Sequence, residues 1–71
     1  MEKDIRKQLA ERIRELRRKA GYTQQELAER SGLDYKHLQD LEGSNPPYAR
    51  LDTLQKLADA FRLPLDLLLK F

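Results

Sequence analysis

The sequence predicts an all-α protein, and three observations carry that prediction. The chain has no valine and no alternating run of β-branched residues, so nothing reads as a strand. Its apolar residues recur three and four apart, the spacing of a helix with one buried face. Residues that start and stop helices punctuate those stripes at short intervals. With 71 residues the chain is read as one domain, 1–71, around one small core.

The first helix is read from Ile5, Leu9, Ile13, Leu16 and Ala20, a single stripe ended by Gly21 as a C-terminal cap. Thr23 opens the second. In "TQQE" the Thr23 hydroxyl can accept the Glu26 backbone N–H, and the Glu26 carboxylate can accept the Thr23 N–H in return. Tyr22 and Leu27 are spaced as the hydrophobic staple of that cap. This helix stops before Gly32. Asp34 caps the third, which buries Leu38 and Leu41, with Leu33 packing from the turn and Gly43 ending it. "GSNPPYAR" is a loop, because two successive prolines cannot continue a helix. Leu51, Leu54, Leu57, Ala58 and Phe61 predict the stripe of a fourth helix. Pro64 suits the first turn of a fifth, expected to end near Phe71. In that tail Leu65, Leu68 and Leu69 are expected to face the core.

Composition excludes several functions. The absence of cysteine removes disulfides and thiolate metal sites, and one histidine is too few for a histidine metal site. No metal, cofactor or small-molecule ligand is expected, and no enzyme. There is no Gly-rich phosphate loop, and His37 has no serine beside it on its helix face to activate. Charged residues follow Met1 instead of an apolar leader, and no apolar run approaches the ~20 residues of a membrane span. The expected location is cytoplasmic, with nucleoid association if the protein is natural and bacterial. Net charge is +2, but residues 1–19 hold eight Lys/Arg against four Asp/Glu, while residues 20–71 hold six against eight. A basic first helix suits an anionic partner or, more blandly, is a solvated face.

The segment that joins the second and third helices, "QQELAERSGLDYKHLQDLEG", is the informative one. Ala28 is small enough for two helices to approach. Gly32, four residues on, allows the left-handed backbone of a tight turn between crossed helices. Leu27, Leu33, Leu38 and Leu41 fill the inner side. This is a helix-turn-helix pattern. With its flanks, "ERIRELRRKAGYTQQELAERSGLDYKHLQDLE…LDTLQKLADAF", the chain resembles the phage repressor/Cro-type (XRE-like) helix-turn-helix domains over about residues 9–69.

The resemblance implies a compact five-helix, lambda-repressor-like domain in which the second and third helices form the motif. It implies sequence-specific binding to duplex DNA, usually as a dimer. It pairs Arg17 with Glu42, tying the first helix to the third. It puts Gln24 on a phosphate at the start of the second helix, with Thr23 beside it. Facing the bases it puts Tyr35, Lys36, His37, Gln39 and Asp40, within a reading helix of about 35–42. Asp34 matches a base-facing position too, but its place as a cap competes. The chemistry suits readout: Lys36 can donate to guanine O6/N7, Gln39 can pair with adenine N6/N7, and Asp40 can accept from the cytosine N4 amine. Asp40 can alternatively pair with Lys36, four residues earlier.

Three features depart from the family pattern. The loop after the reading helix holds only Arg50 as a charge, so Ser44, Asn45, Tyr48 and Arg50 are the phosphate-contacting candidates there. Arg62 stands where a glycine often ends the fourth helix, at a cost of about 1 kcal/mol if the backbone is left-handed. The tail "LPLDLLLKF" is more apolar than one helix needs. Leu67 and Phe71, four apart, suggest a homodimer contact or packing against Ile5 and Leu9. Fourteen leucines, and helices filled with Glu, Lys, Arg, Gln and Ala, are how designed sequences use helix propensity. An engineered DNA binder and a small natural regulator both fit. So does a second function, a protein-interaction module of antitoxin or adaptor type, which the acidic reading helix and the apolar tail would serve.

Overall fold

The structure, a computed structural model, describes residues 4–71. The domain start expected at residue 1, and the charges of Glu2 and Lys3, lie outside the described residues. Five helices follow in order: α1 (Ile5–Ala20), α2 (Gln24–Ser31), α3 (Tyr35–Leu41), α4 (Leu51–Phe61) and α5 (Leu65–Leu68). No strand occurs among the described residues. Leu9, Ile13, Leu27, Ala28, Leu38, Leu41, Leu57, Ala58 and Leu68 form one buried core, with contributions from every helix.

Side-chain caps start α1, α2 and α3; the one from Asp4 on α1 was not expected from the sequence, and α3 closes at Glu42, one residue before the expected Gly43. Asp4 caps α1 by accepting the Arg6 N–H at 2.9 Å. The Thr23–Glu26 capping box of α2 is complete, with bonds of 3.1 and 2.9 Å. Gly32 ends α2 at φ 76°, in the left-handed region that costs glycine nothing. Its N–H and that of Leu33 both reach the Ala28 carbonyl, so the turn into α3 closes on α2 itself. Tyr22 and Leu33 pack against the core from the two ends of α2.

Arg62 ends α4 at φ 56° and ψ 42°, the left-handed backbone without the glycine that normally relieves it. Arg50 precedes α4 with no side-chain cap. Asp52, in the first turn, supplies the negative charge that a helix N-terminus favours and accepts the Thr53 N–H at 3.0 Å.

Several apolar expectations need correction. Ile5 is 64% exposed and Leu51 71%, although both have the right angle on their helices. Each sits in the first turn, beyond the reach of the packed neighbours, and Thr53 is the buried residue at the start of α4 instead. Ala20 is exposed at the last turn of α1. The fifth helix is the larger revision. It has four residues, Pro64 precedes it instead of forming its first turn, and it ends at Leu68, not near Phe71. Leu68 is buried and Leu65 partly so, but Leu69 lies outside the helix and is exposed. The four-residue spacing of Leu67 and Phe71 therefore carries no shared helix face. Phe71 instead lines a shallow apolar pocket with Ile5, Leu9, Tyr48 and Leu69, and Leu67 is not among its walls. Arg12 secures this end of the chain by donating to the carbonyls of Leu67 at 2.7 Å and Leu68 at 3.2 Å.

Candidate nucleic-acid interface

The outward face of α3 is set by the inward one. Leu38 and Leu41 are fully buried against the core. At about 100° per residue, Lys36, Gln39 and Asp40 then lie on the opposite side, with Tyr35 and His37 on the two flanks. The exposures agree: Tyr35, Lys36, Gln39 and Asp40 are exposed and His37 is half-buried. All five expected reading residues thus fall on one continuous polar surface. Asp34 does not join them as a free acid, because its carboxylate accepts the His37 N–H at 3.4 Å as the cap of the helix.

Glu42 closes α3 at its other end and is 4% exposed. The Arg17 Nε lies 2.9 and 3.1 Å from its two carboxylate oxygens. The same guanidinium donates to the Tyr22 carbonyl at 3.0 Å, just before the start of α2. Gln24, the first residue of α2, donates its amide to Glu42 Oε1 at 3.3 Å. Arg14 donates to the Glu42 carbonyl oxygen. One buried carboxylate thus joins α1, the start of α2 and the end of α3. A charge buried this deeply is tolerable only when its oxygens are satisfied, and here they are. The Arg17–Glu42 pairing was implied by resemblance. The bonds from Arg14 and Gln24 were missed, since nothing local in the sequence marks them.

The start of α2 has N–H groups without partners inside the helix, as any helix does. The Thr23 hydroxyl accepts the Glu26 N–H at 3.1 Å. Holding the cap draws the Glu26 carboxyl below its ordinary value, chiefly through the Thr23 N–H bond. Gln24 spends one amide hydrogen on Glu42 and retains the other.

In the loop after α3, Pro46 is fully buried and its carbonyl accepts from Arg6 at 3.3 Å. That anchor, which the sequence did not flag, presents exposed Ser44 and Asn45 between α3 and a fixed point of the core. Arg50 is exposed, in a loose 3.3 Å contact with Asp52. Tyr48 stands apart from these. The Arg6 guanidinium lies 4.8 Å above its ring, and the ring lines the pocket with Ile5, Leu9 and Phe71.

Two short helices crossed through a left-handed glycine, with the second presenting a polar outer face, define a helix-turn-helix DNA-binding domain. The sequence profile of the helix-turn-helix family matches residues 13–68. The chain belongs to that family, in its Cro/repressor (XRE-like) branch. This is a family of DNA-binding domains and not of enzymes. A search of curated proteins finds no match. No helix among the described residues is long and apolar enough to cross a membrane.

Proposed function

We propose that the domain binds duplex DNA sequence-specifically, laying α3 in the major groove with Tyr35, Lys36, His37, Gln39 and Asp40 toward the base edges. The observation that carries this reading is the outer face of α3. Lys36, Gln39 and Asp40 are exposed side by side, opposite a fully buried Leu38/Leu41 face. A major groove admits one helix, and these side-chain types match its donor and acceptor pattern. Thr23, Gln24, Ser44, Asn45 and Arg50 hold phosphates and set the register. Tyr48 leaves this group, because its ring serves the apolar pocket. The biological role that follows is a small transcription regulator or a designed binder on the same scaffold.

One reading helix covers only a few base pairs, so useful specificity calls for a second copy. Ile5, Tyr48, Leu69 and Phe71 offer an apolar surface for it, 64, 78, 37 and 48% exposed in that order. Half-sites would then lie about 34 Å apart. Sedimentation of the wild type and Phe71→Ser tests this part. The wild type is expected as a dimer and the variant as a monomer, and a wild type that stays monomeric on DNA would remove it.

Fluorescence anisotropy with mixed-sequence duplexes across a salt series tests the DNA reading. Affinity is expected to fall by about 0.9 log unit per log unit of salt for each phosphate contact, with about four or five contacts per monomer. Binding that ignores both salt and sequence, beside a tight protein partner, would favour the interaction-module reading instead.

A further inference from the structure

Asp40 is an acid on a surface that must approach a polyanion. Three other acids of the helix-turn-helix segment are committed. Asp34 caps α3, Glu26 closes the box with Thr23, and Glu42 is buried among Arg17 and Gln24. Asp40 has no such employment. Among the described residues its carboxylate takes part in no hydrogen bond or ion pair. Lys36 is one turn away at the spacing that usually pairs, yet the two form no ion pair. Both stand exposed on the outer face of α3.

We infer that Asp40 is the specificity-determining residue of this surface, selecting a cytosine whose N4 amine lies opposite it and repelling every other base edge. The inference rests on the DNA-reading function proposed above. Charge eliminates the other bases. An ionised carboxylate only accepts hydrogen bonds. In the major groove guanine offers N7 and O6 acceptors, and thymine offers O4 and a methyl group. Asp40 gains nothing from any of these and loses its water to face them. Adenine N6 does donate, but it sits beside the N7 acceptor, which repels the second carboxylate oxygen. Cytosine presents the N4 donor without an adjacent ring-nitrogen acceptor in that groove. Lys36 complements this choice, since the guanine paired with that cytosine, or one a step away, carries the acceptors a lysine seeks. The target therefore contains a G·C pair under the Lys36/Asp40 turn. Discrimination there comes from penalising wrong bases as much as from rewarding the right one.

This mechanism has a signature that a merely structural residue lacks. Removing the acid should tighten binding to DNA in general while flattening the preference at one base pair. The experiment first selects a preferred duplex for the wild type from a randomised pool. It then measures affinities of the wild type, Asp40→Ala and Asp40→Asn for that duplex and for its single-base-pair substitutions, with melting curves confirming that the variants fold. For the wild type, replacing one C·G pair should cost about tenfold, within the range of a good base contact. Asp40→Ala should bind non-cognate duplexes several-fold more tightly and lose the preference at that pair alone. Asp40→Asn, which can both donate and accept, should move the preference toward adenine. A site with no position whose preference depends on residue 40, or an Asp40→Ala that weakens all duplexes equally, overturns the inference and leaves the DNA reading standing. A wild type that binds no duplex at low salt overturns both.

Discussion

The Arg17 guanidinium lies 2.9 Å from the Glu42 carboxylate, and the two side chains are 15 and 2% exposed. The pair joins α1 to the end of α3, and through Gln24 to the start of α2. Its energetics are asymmetric, because the acid is the more deeply buried partner. Arg17→Ala strands a carboxylate in the core and is expected to cost about 3 kcal/mol. Glu42→Gln removes the charge, keeps a polar group for Gln24, and leaves an arginine that can turn toward water. It is expected to cost less. Urea unfolding of the two variants checks the order, and a more harmful Glu42→Gln would contradict it.

The left-handed backbone at Arg62 is a defect that glycine would repair. Arg62→Gly is expected to raise stability by about 1 kcal/mol, or roughly 4–8 °C in Tm for a domain of this size. Leu63, which donates to the Ala58 carbonyl at 2.9 Å, should keep its place. Calorimetry decides the matter. A lower Tm would mean that the arginine side chain contributes something its geometry does not reveal.

Acid should loosen the start of α1. The Arg6 side chain, helped by its backbone N–H, draws the Asp4 carboxyl from 3.8 to about 2. A carboxyl depressed in the folded state stabilises the fold above its unfolded pKa. That contribution is lost as pH falls from about 4 through about 2. The Glu26 carboxyl, depressed by its cap, adds to the loss in the same direction. Asp4→Asn should therefore be less stable than the wild type at neutral pH, with the gap closing below pH ~2. Thermal melts from pH 7 to 2 would show it, and a gap constant across that range would count against the cap.

On DNA, register and readout should separate. Arg50 is highly exposed and contacts only Asp52, loosely. Arg50→Ala is expected to weaken binding on all sequences and to lower the salt slope by about one contact. Gln39→Ala should relax specificity at one base pair and leave the slope alone. If the two variants changed affinity and slope alike, the division between phosphate and base contacts would be wrong.

What the sequence disclosed about the fold was mostly local. Thr23, Glu26, Gly32 and Asp34 act through neighbours one turn away, so their caps could be read from spacing, and α2 and α3 fell where those caps put them. Leu51 and Ile5 were misjudged because periodicity gives an angle around a helix and not whether anything lies above it. The burial of Pro46 and the stacking of Arg6 over Tyr48 had no signal in the sequence, for a related reason. A loop's burial depends on where distant α1 passes, and Arg6 meets both residues across some forty positions. The fifth helix failed at its end, where a four-residue spacing implies a face only if the helix continues. The exposed polar face of α3 was legible because Leu38 and Leu41, by being buried, leave Lys36, Gln39 and Asp40 the opposite side.

Base reading by the outer face of α3, as proposed, is open to direct test. The most direct measurement is selection from randomised duplexes at two salt concentrations, run with the wild type and with the triple variant Lys36→Ala/Gln39→Ala/Asp40→Ala. One enriched motif is expected for the wild type at both salts, with loss of that motif and residual salt-dependent binding in the folded triple variant. An identical motif from both proteins, or none from the wild type, would contradict it.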